Sequence, residues 1–368
     1  MKKRNLKIFD LTKQYKSISK EINLKIIKVL GKGQYILGKN VTDFEKRFAN
    51  KFGVNHAIAC NSGTDALLLS LKCLNIKKGD EIITTPFTYF ATAEVIIQCG
   101  AKPVFVDINP LTFNIDYDLI ERAITKRTKA IMPVHIFGQS ANMPKIKKIA
   151  YNYNLKLIED CAQSIGSTYN KTPSGTFGDF GCFSFFPTKN LGAFGDAGIV
   201  ITSKQHYAEK IRKLRNHGSI VRNEHEIIGF NSRMDEIQAA VLNIKLKYLN
   251  KYNKKRNQIA KLYKSLIKNQ LITLPYKDDN AYHVYHQYTL CVKKREKFIK
   301  YLSNYNIPFG IYYPKPLYTQ RALKNLCSSK KLLNTEKVTK ECISIPIYPE
   351  LDYDSVEYIA SVINQYKL

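Results

Sequence analysis

The chain has 368 residues, 44% hydrophobic and 24% charged, which suits one large core with a smaller companion and excludes a disordered chain. Its net charge of +28 is spread in short pairs such as Lys77-Lys78 and Lys330-Lys331. Without the aromatic pattern of an RNA reader, that charge implies attraction for phosphate-bearing ligands and no nucleic-acid partner. The basic start Met1 to Asp10 has no apolar run behind it and no later stretch nears about 18 apolar residues, which argues against a signal peptide and against any membrane partner; eight cysteines without a CxxC pair read as reduced thiols of the cytoplasm, with no metal.

In chain order, short apolar runs predict strands at His56 to Cys60, Glu81 to Thr85, Pro103 to Asp107, Ala130 to His135, Leu155 to Asp160, Cys182 to Phe186 and Gly198 to Thr202. Helical periodicity fills the gaps at Thr64 to Cys73, Ala91 to Gln98, Asp116 to Thr125 and Met143 to Tyr153. That alternation predicts an α/β domain with a seven-stranded, mostly parallel sheet covered by helices. Past Gly229 come two expected helices, Asp235 to Tyr248 and the Lys-rich Lys251 to Leu266. Strand-like runs at His286 to Val292 and Ile343 to Ile347, among helices at Lys294 to Tyr305 and Asp354 to Asn364, indicate a smaller α+β domain. The expected division is a large domain over residues 37–245, a small one over 246–368, and an N-terminal segment 1–36 packing with the small domain.

Three segments could carry chemistry. Asn61-Ser62-Gly63-Thr64-Asp65 lies between a strand and a helix, where free N–H groups cradle phosphate or where Ser62 or Thr64 simply caps the helix. Glu159-Asp160-Cys161-Ala162-Gln163 ends the fifth strand, at the edge that borders the ligand crevice of an open α/β sheet. Asp160 there either holds a proton on a heteroaromatic nitrogen, with Gln163 facing the same ligand, or caps a helix. The densest stretch, Gly175 to Gly198, sets Ser184 and Lys189 among six glycines and an aromatic strand. An amine in such a place is desolvated and nucleophilic, although glycine clusters also serve tight turns. An anion for Ser62 to Thr64 and Ser184, a basic ring nitrogen for Asp160 and an aldehyde for Lys189 together describe pyridoxal 5′-phosphate (PLP).

Nine stretches in order resemble the DegT/DnrJ/EryC1/StrS family of nucleotide-sugar aminotransferases. They are NSGTDALLLSL (61–71), TPFTYFATAEVI (85–96), KPVFVDINPLTFNID (102–116), PVHIFGQSANM (133–143), IEDCAQSIGSTY (158–169), FSFFPTKNLGAFGDAG (183–198), IGFNSRMDEIQAAVL (228–242), HVYHQYTL (283–290) and IPIYPEL (345–351). Ala197 stands where the family often has glycine. The resemblance implies the PLP-dependent transferase fold of type I, with Lys189 carrying the cofactor and then acting as base and acid for the 1,3-proton shift. Asp160 would keep the ring nitrogen protonated, Tyr89 would stack on the ring, and Gln163 would lie near its 3′-oxygen. Gly63, Thr64 and Ser184 would hold the phosphate, joined by Asn231 from the other subunit of a homodimer with shared active sites.

The same resemblance implies L-glutamate as amino donor and a nucleotide-linked keto sugar as acceptor. The PTKNLGAFGDAG segment resembles the enzymes that aminate 3-keto sugars, so the expected acceptor is a dTDP-linked 3-keto-6-deoxyhexose. A UDP-linked 3-keto sugar and a 4-keto-6-deoxy sugar are the alternatives, and a non-enzymatic regulator is a third reading. His217, Arg233 and Tyr313 are the candidates on the sugar side, His217 being equally a turn residue, while for Tyr313 a place in the small-domain core is the preferred reading.

Overall fold

A computed structural model describes residues 6–328 and 331–367; the basic start at Met1 to Asn5 and Lys330 lie outside the described residues. Seven strands form the large sheet: β1 His56–Cys60, β2 Glu81–Thr84, β3 Lys102–Phe105, β4 Thr128–Ile131, β5 Lys156–Asp160, β6 Phe180–Ser184 and β7 Gly198–Thr202. Their spatial order is β1-β7-β6-β5-β4-β2-β3. Every neighbouring pair is parallel except those of β7, which runs against both β1 and β6. One reversed strand in seven keeps the sheet mostly parallel.

Both faces are covered, which is why the strands read as continuous apolar runs rather than alternating ones. On one side α3 (Gly63–Cys73), α4 (Ala91–Gln98) and α6 (Gln205–Leu214) bury Leu67, Leu71, Val95 and Ile211 against Ile58, Ile82 and Val200. On the other, α2 (Lys39–Phe52) sets Phe44, Phe48 and Phe52 against Phe183 and Phe185 of the aromatic strand. These rings meet edge-on or tilted at 5.1–5.3 Å, the geometry ring quadrupoles favour. Ala197 packs fully buried in the same cluster.

The expected helices differ in two places. The segment from Asp116 to Thr125 forms two short 3₁₀ turns, Tyr117–Leu119 and Glu121–Ala123. Asp116 caps the first turn by accepting from the Asp118 N–H at 3.2 Å, while the Thr125 hydroxyl, donated to Glu81 at 2.6 Å, ties the far end to a neighbouring strand and stops the coil there. The two helices expected after Gly229 are one: α7 runs 31 residues, Glu236–Leu266, with no glycine or proline to interrupt it. The division expected at 245/246 therefore falls inside a continuous helix. Along it the buried face passes from the large-domain core at Leu242 and Leu249 to the small-domain core at Ile259 and Tyr263.

Helix α1 (Leu11–Lys32) rests chiefly on the first half of α7, Ile18 and Ile22 against Val241 and Ile244, and not on the small-domain core. The small domain meets the N-terminal segment at Leu6 and in the Lys13–Asp352 pair. That domain is built on a three-stranded antiparallel sheet of β8 (Ile272–Thr273), β9 (Tyr288–Val292) and β10 (Cys342–Ile345), covered by α7, α8 (Arg295–Asn304) and α10 (Tyr353–Gln365). Within it, Arg256 on α7 donates to the carbonyls of Tyr285 and Ile347 at 3.1 and 2.8 Å. Among the described residues no helix is long and apolar enough to cross a membrane.

Candidate active site

A cavity of about 420 Å³ opens at the carboxyl ends of β5 and β6, lined by residues from both domains. Of the residues singled out from the sequence it collects Gly63, Thr64, Tyr89, Asp160, Gln163, Ser184, Lys189 and Tyr313. One end is the N-terminus of α3. Ser62 caps that helix by accepting from the Asp65 N–H at 3.1 Å, and it also lines the cavity, so capping and ligand binding are not exclusive. Gly63 is required by contact: a Cβ there would stand 2.5 Å from Ser184 Cβ. Its absence brings the helix start, with its unspent N–H groups and positive dipole end, against the Ser184 hydroxyl. That junction suits a phosphate.

The other end holds Asp160, 4% exposed. Its Oδ2 accepts from Thr92 Oγ1 at 2.9 Å and its Oδ1 from the Ala162 N–H at 3.1 Å. Burial raises its pKa above the ordinary aspartate range, opposed by those two hydrogen bonds and by Lys189. Behind it, Glu159 is fully buried and accepts from the N–H groups of Gly175, Phe177 and Gly178 at 2.8–2.9 Å and from His135 Nε2 at 3.0 Å. His135 Nδ1 accepts from the Ala141 N–H, so Nε2 carries the hydrogen given to Glu159. His135, Glu159 and Cys161 bring ligand-type atoms within 4.8 Å of one another, but the imidazole and carboxylate are already spent on the protein. They anchor the end of β5 and thereby hold Asp160 in place.

Lys189 follows the Phe186-Pro187-Thr188 turn, its own N–H bonded to the Phe186 carbonyl at 2.8 Å. The side chain is partly exposed, yet its amine is desolvated, which lowers the pKa to about 8 against the opposing pull of Asp160. At pH 7 roughly a tenth of such an amine is the unprotonated nucleophile, far more than for a lysine in water. Gln163 bridges the cavity wall, accepting from the Phe137 N–H at 2.7 Å and donating to Tyr313 Oη at 2.9 Å. Tyr89, 62% exposed, projects beside Tyr313 with ring centroids 6.3 Å apart. Tyr313 thus belongs to the cavity wall as well as to the apolar cluster around Phe87.

Three candidates lie off the cavity of their own chain. His217 is exposed at positive φ, its N–H bonded to the Phe230 carbonyl at 2.9 Å, which is a turn geometry. Asn231 is exposed and bridges Asn216, while Arg233 Nη1 donates to Asn216 Oδ1 at 3.2 Å and its Nε is buried without a partner among the described residues. Arg215 beside them is structural, clamped at 2.5 Å to Glu45 and at 2.6 Å to the Ala59 carbonyl. Sequence reasoning missed Thr92, His286 and Gln287, which also line the cavity. All three sit inside stretches that carry the resemblance, but a threonine in a helix or a histidine in a strand signals nothing by itself.

The donor set fits PLP: a helix start and a hydroxyl for a phosphate, a buried carboxylate for a ring nitrogen, and a nucleophilic amine for an aldehyde. Comparison with known proteins agrees. A pleiotropic regulatory protein of Geobacillus stearothermophilus is 41% identical over 98% of both chains. The dTDP-3-amino-3,6-dideoxy-alpha-D-galactopyranose transaminase of Aneurinibacillus thermoaerophilus is 43% identical over 94% of this chain and 95% of its own. A UDP-N-acetyl-3-dehydro-alpha-D-glucosamine 3-aminotransferase of Acidithiobacillus ferrooxidans is 40% identical over 97% and 96%. Among solved structures, NtdA of Bacillus subtilis with bound cofactor PMP superposes with a TM-score of 0.88 at 33% identity, over 95% of this chain and 82% of that one. Residues 16–364 match the DegT/DnrJ/EryC1/StrS aminotransferase family, and with this cofactor-shaped cavity the chain belongs to that family as a PLP-dependent aminotransferase.

Proposed function

We propose that the enzyme transfers the amino group of L-glutamate to a 3-keto sugar carried on a nucleotide, a dTDP-linked 3-keto-6-deoxyhexose being the acceptor. The observation that carries the reading is the junction of a desolvated Lys189 amine, a buried Asp160 and the Gly63–Ser184 phosphate seat in one cavity. Relatives of similar identity act, by their names, on dTDP-linked and on UDP-linked 3-amino or 3-keto sugars. Both support C3 as the aminated carbon. The 6-deoxy, dTDP-linked choice follows the 43% identical relative.

PLP, when bound, supplies an aldehyde that carries the amino group between substrates and a ring that takes up electrons. In this reading Lys189 would hold it and, once its amine is free, would take a proton from, and return one to, the substrate carbon that loses or gains the nitrogen. Asp160, whose carboxylate form its Thr92 and Ala162 hydrogen bonds favour, keeps a proton on the ring nitrogen. Gly63, Thr64 and Ser184 bind the phosphate, Tyr89 covers the ring and Gln163 faces its 3′-oxygen. Asn231, off the cavity of its own chain, completes the phosphate site of a second copy, making a homodimer the active form. Arg233 and His217, on the same segment, would then face the partner's sugar nucleotide, whose charge the basic surface attracts.

The test is to charge the enzyme with glutamate, incubate it separately with dTDP-linked 3-keto, UDP-linked 3-keto and 4-keto sugar nucleotides, and locate the new C–N bond by NMR. Amination at C4 with none at C3 refutes the assignment, and faster turnover of the UDP sugar refutes the nucleotide. The regulatory name of the Geobacillus relative favours a second reading, a PLP-fold regulator. Lys189→Ala separates the two, since it abolishes turnover in an enzyme and leaves a regulator's output intact.

A further inference from the structure

His286 and Gln287 enter the small domain just ahead of β9, and both line the cavity that holds Lys189. Each is at most 5% exposed. The hydrogen-bond network around His286 fixes its tautomer. Asn253 Nδ2 donates to the Ile165 carbonyl at 3.0 Å, which leaves Asn253 Oδ1 as an acceptor. Asn190 Nδ2 donates to that oxygen at 2.9 Å and to the Val284 carbonyl at 3.0 Å, so both of its N–H bonds are committed. Its Oδ1 can only accept, and the 3.3 Å contact with His286 Nδ1 therefore places the hydrogen on Nδ1. Nε2 is left with a lone pair and, among the described residues, no protein partner. Phe9 stacks on the imidazole, centroids 6.4 Å apart and planes 17° off parallel, and holds its plane.

Gln287 Oε1 is buried with no partner among the described residues. The open Nε2 lone pair and the buried Gln287 oxygen both lack a donor, and polar groups of this kind are paired in the working state. The two substrates differ in what they offer. Glutamate brings carboxylates, which only accept, while a hexose brings hydroxyls, which donate.

We propose that His286, with Gln287 beside it, is the specificity wall of the sugar site, its Nε2 accepting from a ring hydroxyl next to the carbonyl that Lys189 serves. The assignment rests on the nucleotide-sugar reading above. Burial, with the nearby charges of Lys189 and Arg256, holds His286 well below the ordinary histidine range, so the lone pair persists at neutral pH.

The experiment measures the two half-reactions separately in wild type, His286→Phe and His286→Gln. His286→Phe keeps a stacking ring without an acceptor. It should lower kcat/KM for the keto sugar nucleotide on the order of 10–100-fold, carried largely by KM, and by at least about tenfold more than it lowers the glutamate half-reaction. His286→Gln, which offers an amide oxygen, should recover part of the loss. Equal losses in both half-reactions would mean that His286 acts through Lys189 and would overturn the proposal, as would no loss. A second readout needs no variant to fold: long-range ¹H–¹⁵N spectra of the wild-type holoenzyme should show His286 protonated at Nδ1, and an Nε2–H tautomer overturns it. If the wild type takes the amino group from glutamate but aminates no keto sugar nucleotide, the nucleotide-sugar reading fails and the wall fails with it. Uniform losses in the variants, with a wild type that does aminate sugars, sink the wall alone.

Discussion

Gly63→Ala puts the phosphate seat to a quantitative test. The added Cβ would stand 2.5 Å from Ser184 Cβ and 3.1 Å from its Cα and Oγ. Carbon atoms rest at roughly 3.5–4.0 Å, so α3 and β6 must part by about 1 Å. Neither is free to move: α3 buries Ala66, Leu67, Leu69 and Leu71, and β6 is held between β5 and β7. Overpacking of this kind costs about 1–3 kcal/mol, and a displacement of about 1 Å in a positioning group costs on the order of 100-fold. The expected result is a 10–100-fold weaker affinity for PLP together with a Tm lowered by a few degrees. Titration of the cofactor-free protein with PLP, followed by absorbance, reads the first and thermal unfolding the second. A lowered Tm with unchanged PLP affinity would refute the reasoning, since it would make Gly63 a packing residue with no part in the seat.

Three further outcomes follow from the same geometry. Thr92→Val removes the 2.9 Å donor to Asp160; because that bond favours the carboxylate, its loss raises the Asp160 pKa further, and the acid limb of the kcat profile should move to higher pH. An unmoved limb would show that Asp160 does not set it. The Lys189 amine, held at about 8, should combine with added PLP along a rising profile centred near that pH, and Asp160→Asn, by removing the charge that opposes the shift, should move the midpoint lower; an upward move contradicts the assignment. Glu159→Gln sets an NH₂ group against donors that include the Gly175, Phe177 and Gly178 N–H groups and should lower unfolding stability by roughly 3 kcal/mol in urea, a loss under about 0.5 kcal/mol being incompatible with the cluster's anchoring role.

The resemblance led to the cofactor side of the site, because its groups lie close to conspicuous local signals. Ser62 to Thr64 sit at a strand-to-helix turn, Asp160 closes an apolar strand, and Lys189 stands alone among glycines and rings. Thr92 gave no such signal, since its value comes from standing 2.9 Å from a carboxylate 68 positions away. His286 was hidden in the same way: its tautomer depends on Asn190 and Asn253, which the chain places far from it and from each other.

Local pattern determined the large domain. Seven apolar runs separated by helical periods admit little besides a covered, mostly parallel sheet, because a strand buried on both faces must be apolar throughout. Periodicity was misleading where the partner changes along an element. In α7 the buried face passes from one core to another without a break, so a change of hydrophobic pattern looked like a loop although no residue there interrupts the backbone. The segment from Asp116 to Thr125 erred the other way, since helical composition yielded where Thr125 is tied to Glu81 of a neighbouring strand. Residue type alone thus determined which groups could do chemistry: an amine, a carboxylate, hydroxyls and a helix start. Only the tertiary structure decided which of them share a cavity, what burial does to the Lys189 amine, and that His217, Asn231 and Arg233 lie away from it in their own chain. Those are properties of distance and desolvation, and neither exists until elements remote in sequence are packed together.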